Sequence, residues 1–234
     1  MWLNMKIIGL IGGMSWESSL EYYRIINETI KEKLGELHSA SCILYSFDFA
    51  KIEQLQHEGK WRELTELMIE AAQKLERTGA EFIVICTNTM HKMADDIQNN
   101  VNIPMLHIAD STAEKILEKE LKKVGLLGTK FTMEQDFYKK RLKEKHNIEV
   151  VIPADDEREI IHDVIYNELC LGIIKQSSKE RFKKIIKNLI TNGVEGVILG
   201  CTEIPLLLKD KDVEIPLFDT ATIHAKATVE FALK

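Results

Sequence analysis

The chain has 234 residues, of which 45% are hydrophobic and 29% are charged, a composition typical of an ordinary globular protein. A chain of this length buries about 70% of its unfolded surface, so it needs neither disulfides nor a metal to fold. The net charge of −6 argues against a nucleic-acid partner, because a phosphate-binding surface needs a basic excess. The lysine-rich runs at 139–145 and 179–187 have acidic neighbours and are interpreted as solvated helix faces.

The first residues, MWLNMKIIGLIGGM, contain an apolar run that is short and interrupted by glycines. It predicts a first β-strand and neither a signal peptide nor a membrane span, with Met5 as an alternative start after a four-residue extension. The four cysteines lack CxxC spacing and no secretory signal is predicted, so we expect free thiols in a reducing compartment, the cytoplasm. Since no membrane span is predicted, we expect no membrane partner. Three of them are expected in the core: Cys42, Cys86 and Cys170.

Short β-branched runs alternate with longer amphipathic stretches along the chain. The strand predictions are Lys6–Ile11, Ser41–Phe47, Glu81–Cys86, Ile103–Leu106, Lys123–Leu127, Ile148–Ile152, Val194–Leu199 and Ile215–Phe218. The helix predictions are Glu17–Leu34, Trp61–Thr78, Met90–Gln98, Ser111–Glu120, Thr132–Lys145, Asp155–Leu171, Lys179–Thr191 and Thr222–Leu233. Strands that are apolar almost throughout and separated by helices predict parallel sheets covered on both faces, the α/β class.

Three segments of the first half recur in the second half in the same order. GLIG at 9–12 matches GLLG at 125–128, IVICTNT at 83–89 matches VILGCTE at 197–203, and IPMLHIA at 103–109 matches IPLFDTA at 215–221. The pattern predicts two pseudo-symmetric, doubly wound lobes, each with a mainly parallel four-stranded sheet, at 1–117 and 118–234. The alternative is chance similarity between βα units. We expect the ligand in a cleft between the lobes and the final helix packed back on the first lobe.

Thr87 and Cys201 are equivalent positions in this repeat, each at the turn that follows a predicted strand. Ligands of open parallel sheets bind at the carboxyl ends of the strands, so both side chains are candidates for the site. We expect the helix that follows Cys201 to stabilise its thiolate. The competing interpretation is that Cys201 is a small buried hydrophobe, as most free cysteines are.

The turn GLIGGMSWESS lacks the GxGxxG spacing of a dinucleotide site, and no phosphate-binding GxxxxGK[ST] is present. Ser15 is a predicted N-cap, and the glycines favour either a carboxylate-binding turn or a plain tight turn. In the counterpart GTKFTMEQ, Thr129 and Thr132 offer hydroxyls. Neither an HExxH pair nor Cys/His metal spacing surrounds the histidines 91, 107 and 224, so no metal and no cofactor are predicted. His91 is expected either to contact the residues that bind the substrate without touching the substrate itself, or to lie at a helix N-terminus.

Several long motifs now carry a family resemblance: IGLIGGMSWESSLEYYRIIN, CTNTMHK, GLLGTKFTMEQDFY, ELCLG and GCTEIPLL. Over essentially its whole length the chain resembles the aspartate/glutamate racemase superfamily. It looks closest to the subgroup of L-aspartate/glutamate-specific or broad-specificity amino-acid racemases. It looks less like the cell-wall glutamate racemases, whose second turn usually reads GCTHYP where this chain has GCTEIP.

The resemblance implies a two-lobed enzyme that works without pyridoxal phosphate, uses two catalytic cysteines and forms a homodimer. The second cysteine is Cys201, whereas Thr87 stands where the family has the first. The implied substrate is a small amino acid, preferably L-aspartate or L-glutamate. The implied substrate-binding residues are Met14, Gln56, Asn88, Thr89 and Glu168, with Thr129, Thr132 and Thr202 as carboxylate contacts.

A mechanism follows in which the Cys201 thiolate removes the α-proton and Thr87, or a water that it holds, returns one from the other face. Neutral donors and helix dipoles would stabilise the charge that develops on the substrate carboxylate. Two other functions stay open. One is a broad-specificity racemase or an isomerase of another small acid, and the other is an amino-acid-binding protein without catalytic activity, suggested by the missing first cysteine.

Overall fold

The computed structural model describes residues 5–234, so the predicted extension at 1–4 lies outside the described residues. All eight predicted strands are present within one or two residues of their expected positions. Their bounds are β1 Ile8–Gly12, β2 Cys42–Ser46, β3 Phe82–Ile85, β4 Met105–Leu106, β5 Lys123–Gly128, β6 Glu149–Val151, β7 Gly196–Gly200 and β8 Leu217–Asp219.

The strands form two four-stranded sheets with the same internal order, β2-β1-β3-β4 and β6-β5-β7-β8, and every pairing is parallel. The α/β class and the duplicated plan are therefore confirmed. The central strands β1, β3 and β7 are buried at every position and β5 at all but its first. Burial on both faces explains their almost uninterrupted apolar sequence.

Eleven α-helices lie in the part of the chain that the structure describes, joined by short 3₁₀ segments at Thr89–Met93, Leu169–Leu171 and Asp210–Asp212. The helices are α1 Trp16–Leu34, α2 Phe49–His57, α3 Trp61–Arg77, α4 Ala94–Gln98, α5 Ile108–Leu117, α6 Lys130–Glu134, α7 Asp136–His146, α8 Asp155–Asn167, α9 Gln176–Thr191, α10 Ile204–Leu207 and α11 Thr220–Ala232. Two short helices, α2 and α10, are absent from the sequence prediction.

Two predicted helices are interrupted. The prediction over 132–145 breaks at Gln135, whose ψ of 147° is extended and separates α6 from α7. The prediction over 155–171 ends at Asn167, because Glu168 leaves the helical region and Gly172 adopts a φ of +71°. Cys170 therefore lies in a 3₁₀ turn and is exposed, so its predicted place in the core is wrong. Cys86 is buried as expected, and Cys42 is half-buried.

The chain divides into two compact units: the described residues up to Ile108 with His224–Lys234, and Ala109–Ile223. The chain thus passes into the second unit nine residues before the predicted boundary at 117/118. The reason is that α5 bonds to α7 within the second unit, where the Arg141 guanidinium donates two hydrogen bonds to the Asp110 carboxylate at 2.7 and 2.6 Å. In the first unit, the backbone N–H of Lys6 donates to the carbonyl of Ala232 at the end of α11.

All four cysteines are free thiols. Over residues 5–234, no helix combines the length and the apolar character that crossing a bilayer requires.

Candidate active site

In the first unit, Thr87 follows the carboxyl end of β3 and is half-buried between the buried residues Cys86 and Asn88. Its backbone carbonyl accepts a hydrogen bond from the His91 imidazole, with Nδ1 and O 2.8 Å apart. The hydroxyl of Ser18 on α1 donates to the Cys86 carbonyl at 2.7 Å and joins this turn to the start of α1. The two central strands of this sheet thus end in loops that are bonded to each other.

The turn after β1 depends on a glycine. Gly13 has a φ of +80°, and a Cβ there would lie 2.2 Å from the carbonyl oxygen of Phe47. Its N–H donates to the hydroxyl of Ser19 at 2.7 Å. Ser15 caps α1 as predicted, since its hydroxyl accepts from the N–H of Ser18 at 3.4 Å. Only glycine combines this close approach with a positive φ, so the turn requires Gly13.

The other predicted binding residues of the first unit are buried close to these turns. Asn88 and Thr89 begin the 3₁₀ segment that follows Thr87. The amide of Gln56, on α2, donates to the sulfur of Met90 at 3.2 Å, which ties α2 to that segment. The side chain of Met14 is buried and belongs to the hydrophobic core of the first unit.

In the second unit, Thr129 and Thr132 lie beside the ends of β5 and β7. Thr129 caps α6 by accepting from the N–H of Thr132 at 3.3 Å, and the two hydroxyls are 3.2 Å apart. A Cβ on Gly128 would lie 3.1 Å from the carbonyl oxygen of Gly200, and a Cβ on Gly200 would lie 3.2 Å from Cγ2 of Thr132. The glycines therefore let α6 approach the strand end that leads into Cys201.

Cys201 comes directly after β7 and is half-buried. Its thiol donates a hydrogen bond to Oε2 of Glu203, with Sγ and Oε2 2.9 Å apart. The hydroxyl of Thr202 donates to the same oxygen at 2.7 Å. One carboxylate thus holds the thiol and the neighbouring hydroxyl together.

The electrostatics of this turn differ from the sequence expectation of a stabilised thiolate. Burial raises the pKa of the Cys201 thiol well above its usual value, and the Glu203 carboxylate and, to a smaller extent, Cys170 add to this effect. A hydrogen bond from the backbone of Glu203 acts in the opposite direction and lowers the pKa. The following helix, α10, has only four residues and gives little dipole. Cys201 therefore rests as a thiol, and the prediction of a helix-stabilised thiolate is wrong.

Glu168 ends α8 and is buried. Its Oε2 accepts from the hydroxyl of Ser178 at 2.6 Å, and its Oε1 from the ammonium of Lys175 at 3.2 Å. The Ser178 hydrogen bond first, and Lys175 as well, lower the pKa of Glu168 against the opposing effect of desolvation, so the side chain stays ionised. Glu168 consequently connects the end of α8 to the start of α9.

Sequence reasoning missed Glu203, although a signal was present: an acid two residues after the candidate cysteine in GCTEIP. Among residues 5–234, no group of three or more His, Cys, Asp or Glu side chains is arranged so that it could hold a metal ion.

Comparison with known proteins agrees with this fold. The profile of the Asp/Glu/Hydantoin racemase family matches residues 11–228. The broad specificity amino-acid racemase RacX of Bacillus subtilis (strain 168) is 27% identical over 231 residues, which cover 95% of this chain and 96% of that protein.

Two crystal structures are more similar in sequence. A candidate Asp/Glu racemase from Yersinia pestis is 55% identical, with a TM-score of 0.94, and the match covers 98% of this chain and 100% of that one. An aspartate racemase homologue from Pyrococcus horikoshii OT3 is 44% identical, with a TM-score of 0.87 and the same coverage.

The two duplicated parallel sheets, with polar turns at equivalent strand ends, give the chain a two-lobed α/β fold that it shares with solved glutamate racemases. The chain belongs to the Asp/Glu/Hydantoin racemase family. The resemblance drawn from its motifs is therefore confirmed, as is its assignment to the amino-acid racemases.

Proposed function

We propose that the protein racemises a small amino acid without a cofactor, with Cys201 as the base that removes the α-proton and Glu203 as the acceptor of the thiol proton. The observation that carries this assignment is the 2.9 Å hydrogen bond from the Cys201 thiol to Glu203. A thiol whose pKa is raised stays protonated, so it can act as a base only after another group has accepted its proton. Glu203 supplies that acceptor at hydrogen-bond distance.

Transfer of the thiol proton to Glu203 also removes the repulsion between the Glu203 carboxylate and a thiolate on Cys201. Once Glu203 has taken the proton it is neutral, and it no longer opposes the negative charge on sulfur. The thiolate then takes the proton from Cα, and the electron pair of the broken C–H bond spreads onto the substrate carboxylate. The hydroxyls of Thr129 and Thr132, and that of Thr202 once it has turned away from Glu203, are our proposed donors to that charge.

We propose that Thr87, or a water that it holds, returns a proton to the opposite face of Cα. The support is its equivalence to Cys201 in the duplicated plan, at the turn after β3. A threonine hydroxyl is too weak an acid to be ionised at neutral pH, so kcat is higher for the direction in which Cys201 removes the proton. The KM of that direction is higher by the same factor, because the two enantiomers have equal free energy and the two kcat/KM values must be equal. In this proposal the L-enantiomer is the preferred substrate.

We assign L-aspartate and L-glutamate as the preferred substrates, with Met14, Gln56, Asn88, Thr89 and Glu168 as the further contacts. The support is the resemblance to an aspartate racemase homologue at 44% identity over nearly the whole chain. A broader substrate range is the second candidate, favoured by the match to RacX across 95% of the chain. An active homodimer in the cytoplasm completes the proposal.

The test is deuterium incorporation at Cα, followed by NMR in D₂O over a panel of L- and D-amino acids. We expect wild-type exchange on L-aspartate or L-glutamate, none with Cys201→Ala, and wild-type exchange with Cys42→Ala as a matched cysteine control. Exchange that persists in Cys201→Ala would defeat the assignment of the base. Binding without exchange in the wild type would favour the non-catalytic alternative, and exchange across many side chains would favour the broad range.

A further inference from the structure

The first unit contains a buried histidine cluster, formed by His91, His107 and His224, that the proposed proton transfers do not use. The ring of His91 lies 4.6 Å from that of His107 and 5.6 Å from that of His224, measured between centroids. All three are at most 4% exposed. They come from the segment after β3, the end of β4 and the helix α11, so the cluster joins three elements.

His91 bridges the ends of two neighbouring strands. Its Nδ1 lies 2.8 Å from the carbonyl oxygen of Thr87, directly after β3. Its Nε2 lies 3.3 Å from the backbone nitrogen of Ile108, the first residue of α5 after β4. The imidazole thereby ties the turn that carries Thr87 to a second fixed backbone point.

These partners determine which nitrogen of His91 holds the proton. A carbonyl oxygen only accepts and a backbone N–H only donates, so Nδ1 must carry hydrogen and Nε2 must be bare. A protonated ring would present hydrogen on Nε2 and lose the bond from Ile108. Both contacts are therefore made together only by the neutral Nδ1–H tautomer of His91.

The neighbouring imidazole of His224 carries its hydrogen on the other nitrogen, Nε2. The Nε2 of His224 lies 3.0 Å from the carbonyl oxygen of Leu106, so it is the donor, and its Nδ1 accepts from the hydroxyl of Tyr22 at 2.9 Å. Tyr22 is fully buried on α1. The ring that packs against His91 is thus held by β4 and by α1, and it cannot rotate without breaking a buried hydrogen bond.

We propose that His91 is a positioning residue for Thr87, holding the peptide of Thr87 through its Nδ1–H so that the hydroxyl stays aimed at one face of the substrate. The inference rests on the proposed function. Thr87 sits on a turn, where the backbone lacks the hydrogen-bond ladder of a strand, so a side-chain bond to its carbonyl sets its place. A misplacement of about 1 Å at a reacting group can cost about 100-fold in rate.

Two amide substitutions separate the two contacts of the imidazole. His91→Asn places an amide N–H at the position of Nδ1 and keeps a donor for the Thr87 carbonyl. His91→Gln places its amide near Nε2, where it can accept from Ile108 and leaves the Thr87 carbonyl without its partner. The exposed His38 offers a matched control as His38→Gln.

The first measurement is the inversion of L-aspartate or L-glutamate, resolved into kcat and KM, on variants shown to be folded by circular dichroism. We expect His91→Gln to lose at least about tenfold in kcat with KM within about twofold. We expect His91→Asn to stay within about threefold of the wild type, and His38→Gln to be unchanged. Equal losses of kcat in His91→Asn and His91→Gln would overturn the proposal. If His91→Gln does not fold, a loss of kcat in His91→Asn would overturn it.

The second measurement does not depend on activity. Long-range ¹⁵N–¹H NMR at neutral pH on the full chain should show His91 with hydrogen on Nδ1 and His224 with hydrogen on Nε2. Hydrogen on Nε2 of His91 would overturn the proposal even in an active enzyme. The predicted tautomers in a protein that racemises none of the panel would instead contradict the proposed function while leaving the geometry of the cluster intact.

Discussion

The thiol of Cys201 and the carboxylate of Glu203 share a hydrogen bond of 2.9 Å, although only one residue separates them along the chain. The carboxylate has two opposing effects on the sulfur. It raises the pKa of the thiol, which protects Cys201 in the resting enzyme, and it can accept the thiol proton when the base is needed. Separate measurements of reactivity and catalysis distinguish these effects.

Glu203→Gln should therefore change two observables in opposite directions. Loss of the negative charge lowers the pKa of Cys201, so alkylation by iodoacetamide at neutral pH should become faster. Loss of the proton acceptor should lower kcat by about 100-fold or more, within the range of general base catalysis. The control is Glu180→Gln, at an exposed position on α9. Wild-type racemisation by Glu203→Gln would show that the thiol proton leaves by another route.

Thr87→Cys should restore a two-cysteine arrangement. A thiol is a better acid and base than a hydroxyl, so we expect the D-to-L direction to gain about tenfold or more in kcat, part of the ~10²–10⁴ that acid–base catalysis supplies. The measurement is the initial rate from each pure enantiomer by chiral chromatography. Thr78→Cys, at an exposed position, should change neither rate. A fall in both directions would count against Thr87 as the second proton donor.

Glu168→Gln tests whether the carboxylate that links α8 to α9 also contacts the substrate. An ionised carboxylate has about four acceptor sites, so Ser178 and Lys175 leave room for a substrate ammonium. A hydrogen bond to a charged group is worth about 1.5–3 kcal/mol, so we expect KM to rise about 10- to 100-fold. Ser178→Ala, which weakens only the internal link, should lower the melting temperature with little change in KM. An unchanged KM in Glu168→Gln would restrict Glu168 to its structural contacts.

The buried His224 should make stability depend on pH. Burial, followed by the proximity of His91, lowers the pKa of His224 to about 3, against about 6.5 in the unfolded chain. Between these values the unfolded state binds the proton and the folded state does not. Stability is therefore fully present above about pH 6.5, and it falls by up to about 1.4 kcal/mol for each pH unit on the way down to about 3.

The comparison that isolates this effect is urea unfolding of the wild type and His224→Gln between pH 7 and 4.5, where most carboxyl groups remain ionised. His224→Gln should be less stable at pH 7, because it disturbs the bonds to Tyr22 and Leu106. Its free energy of unfolding should also decline less steeply as the pH falls. Parallel slopes for the two proteins would show that His224 takes up no proton on unfolding.

Local sequence patterns were sufficient for the eight strands and for the duplicated plan of the two sheets. Strands buried on both faces carry continuous apolar runs, and the repeated order of the motifs around them predicts the duplication from the sequence alone. The same patterns put Thr87 and Cys201 directly after equivalent strands, because a strand end is a local property of the chain. They also predicted the N-cap at Ser15, which depends on residues within one helical turn.

Side-chain environments were decided only by the tertiary structure. The pKa of Cys201 depends on burial and on charges that the folded chain places around it. The sequence predicted a stabilised thiolate, whereas burial and the Glu203 carboxylate raise the pKa of the thiol. Cys170 is exposed because α8 ends at Asn167, which periodicity alone did not reveal. Tyr22 and His224 meet across 202 residues of sequence, and packing against such distant partners is beyond a local pattern. Sequence thus specified where each group lies along a strand or turn, and folding specified its charge and its partners.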